Sequence, residues 1–527
     1  VRHCGHLPLA IRIAGARLAA RPHWPPARLA ELLADERGRL DALNAGDLDV
    51  RSSLALSYRG LTGPQRRTLR LLACLEARDV GAWVAAPLLD TAEERAEELM
   101  EDLAEARLLD VRPGPDGVAR FGLHDLVRGF ARELSTAEDP WAERSAALAR
   151  AFGAWLALAE DAAGRLAAGF RRIAPGDAPR WTGVTPPPDP VDWLEAERPA
   201  LVATVLQAAR EPAHAPYARD LACALARFFE LREHLDDWAA TSTAALAATR
   251  ATGDRRGEAH LLRGLGELAL DLDRLPRALD LLEQAGSLLA AVGDLDGRQH
   301  VLRAAGTALR MRGEPAAALD RLTEALDVAA AVGDEVGRAQ ALHGLGVLRR
   351  MAGQDAEAER HYREALAIFA AAGDPFGEAY VLCSLGLLLG RGARDDGGAA
   401  SDEAERHLRR SVELCRQSGY RRGEALALGH LGDLHGRRGE HHAAAEELRL
   451  ALEACREVRE RPGEAIILHR LGELHRDLGD PDAARVLLRQ ALALTERLGM
   501  TYDHERARVT LSGLEPAPSV RGDLGGA

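Results

Sequence analysis

At 527 residues, with 47% hydrophobic, 28% charged and only 4% aromatic residues, the chain is long enough for two to four globular domains and favours helices over sheets. A net charge of −13 argues against a general nucleic-acid binder, and all 68 basic residues are arginine, so this chain supplies neither a Schiff-base lysine nor a phosphate-binding P-loop lysine. The six cysteines (Cys4, Cys74, Cys223, Cys383, Cys415 and Cys455) are scattered with no C-x-x-C, and no signal segment or run of eighteen apolar residues occurs. A reducing, cytoplasmic setting and no membrane partner are expected.

The chain opens at Val1 already in an amphipathic pattern, as a piece of a longer protein would. Residues 4–10, CGHLPLA, lead into IRIAGARLAA, and Pro8 suits a first helical turn. Residues 1–48 are expected to be the end of a helical subdomain. Over 49–135 the helical patterns SSLALSYRGL, PQRRTLRLLACLE, GAWVAAPLL and AEERAEELMEDLAEARLL come first. LLDVRPGPDGVARFGL then alternates around a Pro/Gly/Asp turn, which predicts a small β-hairpin. Helices followed by a hairpin predict a winged helix-turn-helix. Its arginines Arg66, Arg67, Arg70, Arg128 and Arg132 are offset by the acidic run EERAEELMEDLAE, so DNA is not an expected partner.

The adjacent His124 and Asp125 in RFGLHDLVRGFARE invite a catalytic or metal reading. Catalysis would need a nucleophile and an oxyanion frame, and metal binding further ligands; neither G-x-S-x-G nor H-E-x-x-H is present. Asp125 capping the helix LVRGFARE explains the acid without any chemistry. Residues 136–212 read as helical, broken by a Pro-rich linker near 174–190, APGDAPRWTGVTPPPDP.

From 213 to 514 the chain repeats itself. Gly-Asp recurs at 253–254, 293–294, 333–334 and 373–374, each followed by a Gly and then a step such as Leu265-Gly266 or Leu385-Gly386. After a six-residue slip in a Gly-rich insertion the series continues at Gly432 and Gly472. Twelve residues beyond each of these glycines stands Ala278, Ala318, Ala358, Ala444 or Ala484, with Ala404 delayed by the insertion. Four further on stands Leu or Tyr. Glycine inside a helix costs about 1 kcal/mol against alanine, so its recurrence at one register points to close helix–helix approach. A degenerate unit precedes the series at 213–252, residues 499–514 read as a capping helix, and 515–527 as a disordered tail.

The pattern L-G-x-x-(Y/H) followed by Ala, a large residue and Ala resembles the tetratricopeptide repeat in a 40-residue form. The expected fold is therefore all-α dominated: a superhelical α-α solenoid preceded by a winged-helix domain with a small β-hairpin. Such arrays usually dock partners on the concave face made by their first helices. GHLPLA also resembles the G-L-P-L motif of NB-ARC ATPases, and GLHDL their M-H-D motif, with His6 and Leu123 in place of the usual Gly and Met. With the repeats behind them, these motifs make the chain similar to the C-terminal portion of actinobacterial AfsR-like regulators of the STAND class. The resemblance implies that Pro8 packs near an adenine and that His124 reaches a β-phosphate. Both contacts require ATP or ADP held by an upstream domain, since this chain implies no cofactor of its own.

Registered on the repeat glycine, His260, Arg263, His300, Arg303, Arg310, His343 and Arg350 are expected to face the groove. They would attract an acidic peptide or protein segment, or else lie over aliphatic neighbours and meet only water. His435 and His475 share one register and read as packed or rim histidines rather than metal ligands. The sequence thus points to a non-enzymatic regulatory interaction module, with a free-standing repeat scaffold as its rival.

Overall fold

The computed structural model describes residues 8–19, 23–34, 43–45, 48–115, 117–166, 176–392, 398–498 and 500–514. Residues 4–7, the side chain of Pro8 and the tail 515–527 lie outside them. The molecule divides into two compact units. The first runs within Val1–Leu166, Ile173–Phe228 and Asp236–Leu265; the second holds Phe229–Leu235 and continues from Gly266.

In the first unit Pro8 opens a helix, Pro8–Ala19, followed by Pro26–Ala34 and a short antiparallel pair, β1 (Asn44–Ala45) with β2 (Leu48–Asp49). The expected winged helix follows. Helix Gly63–Cys74 starts at a capping box in which Thr62 accepts from the Gln65 amide and Gln65 reaches back to Thr62. Helices Val50–Gly60 and Glu93–Glu105 join it, and β4 (Asp110–Pro113) and β5 (Ala119–Gly122) form the predicted hairpin. The sheet has a third strand, β3 (Asp79–Gly81), giving the antiparallel order β3-β5-β4. β3 is only three residues long, too short for alternation to show, and it occupies the start of what reads as the helix GAWVAAPLL. The helix there is reduced to Ala85–Leu89.

The strand side chain of Arg120 is buried among polar partners. It pairs with Glu197 on helix Pro190–Ala208, and its Nε donates to Asp79 at 3.1 Å. Trp155, on helix Trp141–Arg165, donates from Nε1 to the same Glu197 at 3.1 Å. The wing is thereby fastened to the two helices that follow it. The Pro-rich stretch forms no helix or strand across 177–189, as its composition dictates, yet it is not loose. Arg180 pairs with Glu160, Trp181 donates to Asp90 at 3.2 Å and the Thr185 amide donates to Glu93 at 3.1 Å. Lack of regular structure here goes with many side-chain anchors.

From Ala215 the chain is helix after helix to Thr501–Ser512. In the second unit each repeat is a helical hairpin whose two helices meet at the repeat glycine. A Cβ placed on Gly306, Gly386, Gly432 or Gly472 would stand 2.5–2.7 Å from the Leu322, Leu408, Leu448 or Leu488 side chain of the second helix. On Gly346 it would meet the Tyr362 ring at 2.6 Å. Real Cβ contacts do not approach so closely, so glycine is required by contact, and the Leu or Tyr sixteen residues on is its partner. The delay at Ala404 and Leu408 follows from the insertion. Ahead of the insertion, successive hairpins join through the Gly-Asp pair. Gly293, Gly333 and Gly373 take φ of 71°, 73° and 64°, left-handed values that end a helix cheaply only in glycine. The next residue caps the following helix: Asp294 accepts from Gly297 at 2.8 Å, Asp334 from Gly337 at 3.0 Å and Asp374 from Gly377 at 3.1 Å.

Candidate functional site

His124 stands at the end of the wing and is itself the N-cap of helix Asp125–Glu138. Its Nδ1 accepts from the Leu126 amide at 3.2 Å, and its carbonyl accepts from the Arg128 amide at 2.9 Å. The capping role expected of Asp125 therefore belongs to its neighbour. Asp125 is the first helical residue, exposed, with its charge next to the positive end of the helix dipole. Because Nδ1 accepts, the neutral ring carries its proton on Nε2. Replacing His124 with Ala is expected to cost about 1 kcal/mol, and Asn is expected to recover most of it; urea denaturation of the three proteins measures this.

The wing's arginines are engaged within the protein. Arg70 forks onto Asp139 at 2.7 and 2.8 Å, Arg128 donates to the Leu75 and Ala77 carbonyls at 2.6 and 2.9 Å, and Arg132 to Ala73 at 2.6 Å. They tie helix Asp125–Glu138 to the chain that ends helix Gly63–Cys74.

The seven groove positions are divided between the two units. His260 and Arg263 belong to the first unit, and both are buried there. In the second unit His300 is buried, and Asp296, His300 and Asp334 bring ligand-type atoms within 4.8 Å of one another. The carboxylates of that cluster are already engaged, since the Gln299 amide donates to both and Asp334 also caps its helix. Arg303, Arg310 and His343 do come together, lining a cavity of about 430 Å³, and Arg350 stands close enough to act on His343 electrostatically. Three of the seven positions thus line a partly open cavity, while His260, Arg263 and His300 are buried. Adjacent first helices pack side by side, so a position on their shared edge, such as His343 beside Tyr380 and Ser384, is buried while others are open to the cavity.

His343 shows the character of this space. Its Nε2 lies 2.9 Å from the Ser384 hydroxyl, and its ring meets Tyr380 edge-on at 4.7 Å between centroids. Burial first, then the positive field of Arg310, Arg350 and Arg303, pushes its pKa down to about 3. His343 is therefore neutral near pH 7. Burial likewise brings His430 to about 3 and His469 to about 4. In the unfolded chain these imidazoles take up protons near the ordinary value of about 6.5, so stability must fall as pH drops from there toward 3–4. Each contributes a slope of up to about 1.4 kcal/mol per pH unit. Glu233, raised by burial to about 7, opposes them with a single group's slope between about 4.5 and 7. Urea unfolding between pH 6.5 and 5 is expected to show a net loss toward acid, reduced by one group's share in His343→Gln.

Other cavity residues escaped the sequence reading. Phe376, Arg422 and Pro462 each stand ten residues before a repeat glycine and line the same space, as do Glu230, Asp271, Tyr380 and Glu460. Their common register was the available signal, one helical turn or more ahead of the positions that define the groove by analogy. His435 is buried and contacts Glu440, and His475 lies 3.7 Å from Asp480, in keeping with packed and rim positions.

The hairpins and their spacing define a class: these are tetratricopeptide repeats, and that family's profile matches residues 298–371 and 437–497. The chain is AfsR-like as well. It is 36% identical over 282 residues to the regulatory protein AfsR of Streptomyces coelicolor, covering 52% of this chain and 28% of that protein. It is 37% identical over 263 residues to the regulatory protein AfsR of Streptomyces griseus, covering 49% and 26%. The chain thus spans little more than a quarter of the length of these curated relatives. Its fold is similar to a signal transduction ATPase with numerous domains, a STAND protein with a tetratricopeptide-repeat sensor, from Pyrococcus horikoshii. That likeness has a TM-score of 0.58 at 13% identity, covering 95% of this chain and 68% of the other.

Proposed function

We propose that the chain is the sensing and relay portion of an AfsR-like, STAND-type regulator in the cytoplasm. The repeats receive a partner or effector, and the winged helix passes the change to a nucleotide-binding domain encoded upstream. The similarity to the two AfsR proteins carries this reading. It is supported by a charged cavity in the repeat array and by the buried fastening of the wing through Arg120 and Glu197. No helix among the described residues is long and apolar enough to cross a membrane.

His124 has a definite part in this scheme. With its ring oriented by the Nδ1 cap, His124 would reach a phosphate oxygen of ADP or ATP bound by the upstream domain. Pro8 would pack near the adenine. Mechanistically the protein is a two-state switch in which nucleotide and repeat ligand each favour one arrangement.

The test begins with the coding frame ahead of Val1. An in-frame G-x-x-x-x-G-K-[ST] segment allows the parent to be made, and its ADP release is then compared with that of His124→Ala. Release at least about tenfold faster in the variant is expected from the loss of one charge-assisted contact. A genuine start codon at Val1, or unchanged release, rejects the relay and leaves a repeat scaffold that works without nucleotide.

A further inference from the structure

Most charged residues lining the cavity of the second unit are already engaged. Arg303 pairs with Glu267 at 3.2 Å, Arg422 lies 3.9 Å from Asp271 and Arg470 pairs with Asp433 at 3.1 Å. Glu460 accepts from the Gly463 amide, and Glu230 has a partner as well. Two polar groups differ. Arg310, half-buried and lining the cavity, makes no hydrogen bond or ion pair with the described residues. Its charge reaches His343, whose ring lies in a field set by Arg310, Arg350 and Arg303. The other group is Gln340, which also lines the cavity. It is 2% exposed, and its side-chain oxygen is buried without a hydrogen-bond partner. Gln340 stands six residues before its repeat glycine. In that register the adjacent repeats place His300 and Tyr380, which have partners, and the later ones place Leu426 and Ile466, which need none. Phe376, Val347, Leu426 and Ile467 supply apolar wall.

We propose that this cavity binds a small carboxylic acid with an apolar body and an amide beside the acid group, in its simplest form an N-acylated apolar amino acid. The carboxylate meets Arg310, the amide meets Gln340, and the apolar part lies on Phe376 and its neighbours. This rests on the reading of the repeats as a receptor and names the chemistry of what they receive. The volume of about 430 Å³ falls in the range of small-molecule pockets, which is roughly 300–1,000 Å³. Arg310 offers an unpaired guanidinium to an incoming anion in a setting partly screened from water, where a charge-assisted bond is strong. Gln340 adds a demand of a different kind. A buried acceptor left unsatisfied is unfavourable until a donor reaches it, so a ligand N–H gains more here than it would against an amide in water. A ligand amide carries one donor and one acceptor and therefore matches the Gln340 carboxamide whichever way it is turned. An inorganic anion would answer Arg310 alone, and a hydrocarbon neither group.

Gln340 also gives the site a signature that needs no ligand. Its side-chain oxygen has no hydrogen bond to lose, and leucine is close to glutamine in size. Gln340→Leu should therefore be at least as stable as the parent in urea, because it removes an orphaned acceptor and breaks nothing. A change in ligand preference in that variant then reports on binding and not on fold.

The probes are N-acetyl-leucine and N-acetyl-phenylalanine, their C-terminal amides, the matching acids without the acetamido group (isocaproate and hydrocinnamate), and inorganic phosphate, each titrated into the full chain by calorimetry. At least one N-acetyl acid is expected to bind, its amide about tenfold or more weaker and the acid without N–H about fivefold weaker. Arg310→Ala should lower the acid to the affinity of its amide, and Arg310→Lys should restore part of the difference. Gln340→Leu should instead abolish the preference for the N–H while keeping the preference for acid over amide. A merely structural role of either residue would lower both preferences together. Binding that ignores the carboxylate or the N–H, phosphate bound as tightly as the acids, either variant with its preference unaltered, or no binding by any probe up to about 10 mM overturns the proposal. None of these results bears on nucleotide release in the parent, so the site and the relay can fail separately. A circular dichroism spectrum of each variant guards against reading lost fold as lost binding.

Discussion

Gly386→Val is expected to destabilise the second unit by about 2–3 kcal/mol, the usual cost of forcing extra methyls into a packed core. The first added carbon alone would stand 2.5 Å from Leu408 Cγ and 3.1 Å from the Ala404 carbonyl. Leu408 is 1% exposed and its Cγ is not the free end of a long chain, so relief requires moving the second helix. The prediction has an internal control. Leu408→Ala alone should cost about 2–5 kcal/mol through the cavity it leaves. Combined with Gly386→Val, the pair should be less harmful than the two costs added, because the valine fills space the leucine vacates. Urea unfolding of the four proteins completes the cycle; strict additivity would mean that the two residues do not share the contact.

The second large effect belongs to the first unit. Glu197→Gln is expected to cost about 3–5 kcal/mol, since it leaves the Arg120 guanidinium buried beside a neutral amide. Both side chains are nearly inaccessible, at 7% and 3% exposure, and Asp79, half exposed, is a weak substitute. Replacing both partners, Arg120→Met with Glu197→Leu, should return most of the stability, because no uncompensated charge then remains and the Trp155 indole loses only one acceptor. Thermal denaturation separates these outcomes. A Glu197→Gln protein as stable as the parent would show that the pair is not desolvated in solution.

The repeat was legible because a steric demand recurs. A helix pair that approaches through a side chain of zero size needs glycine at one position and a matched Leu or Tyr at another, and six copies make that demand visible. The winged region was legible as a pattern of helices and a hairpin, but β3 was not. Val80 is its single buried anchor against Phe121, and a three-residue strand has too few positions to alternate. At His124 composition misled: aspartate is the commoner cap, and which of two adjacent acceptors turns inward is decided by backbone geometry. The groove was legible only in part. Periodicity tells which residues share a face of one helix but not what covers that face, so His300 and His343 looked available although the neighbouring repeat encloses them. Glu230, Asp271 and Glu460, which also line the cavity, stand at helix ends and joints where the repeat register is weakest.

The joints themselves carry a consequence for how such a protein can change its length. At each Gly-Asp pair one residue ends a helix and the next begins another, with φ and cap alike at 293–294, 333–334 and 373–374. The direction in which one hairpin leaves the last is therefore written in two adjacent residues and repeated every forty. Genetic exchange between two such joints adds or removes one whole hairpin while keeping both splice points native in shape. An ancestral array could be lengthened or shortened in steps of forty residues, with each joint arriving already fitted to its neighbours.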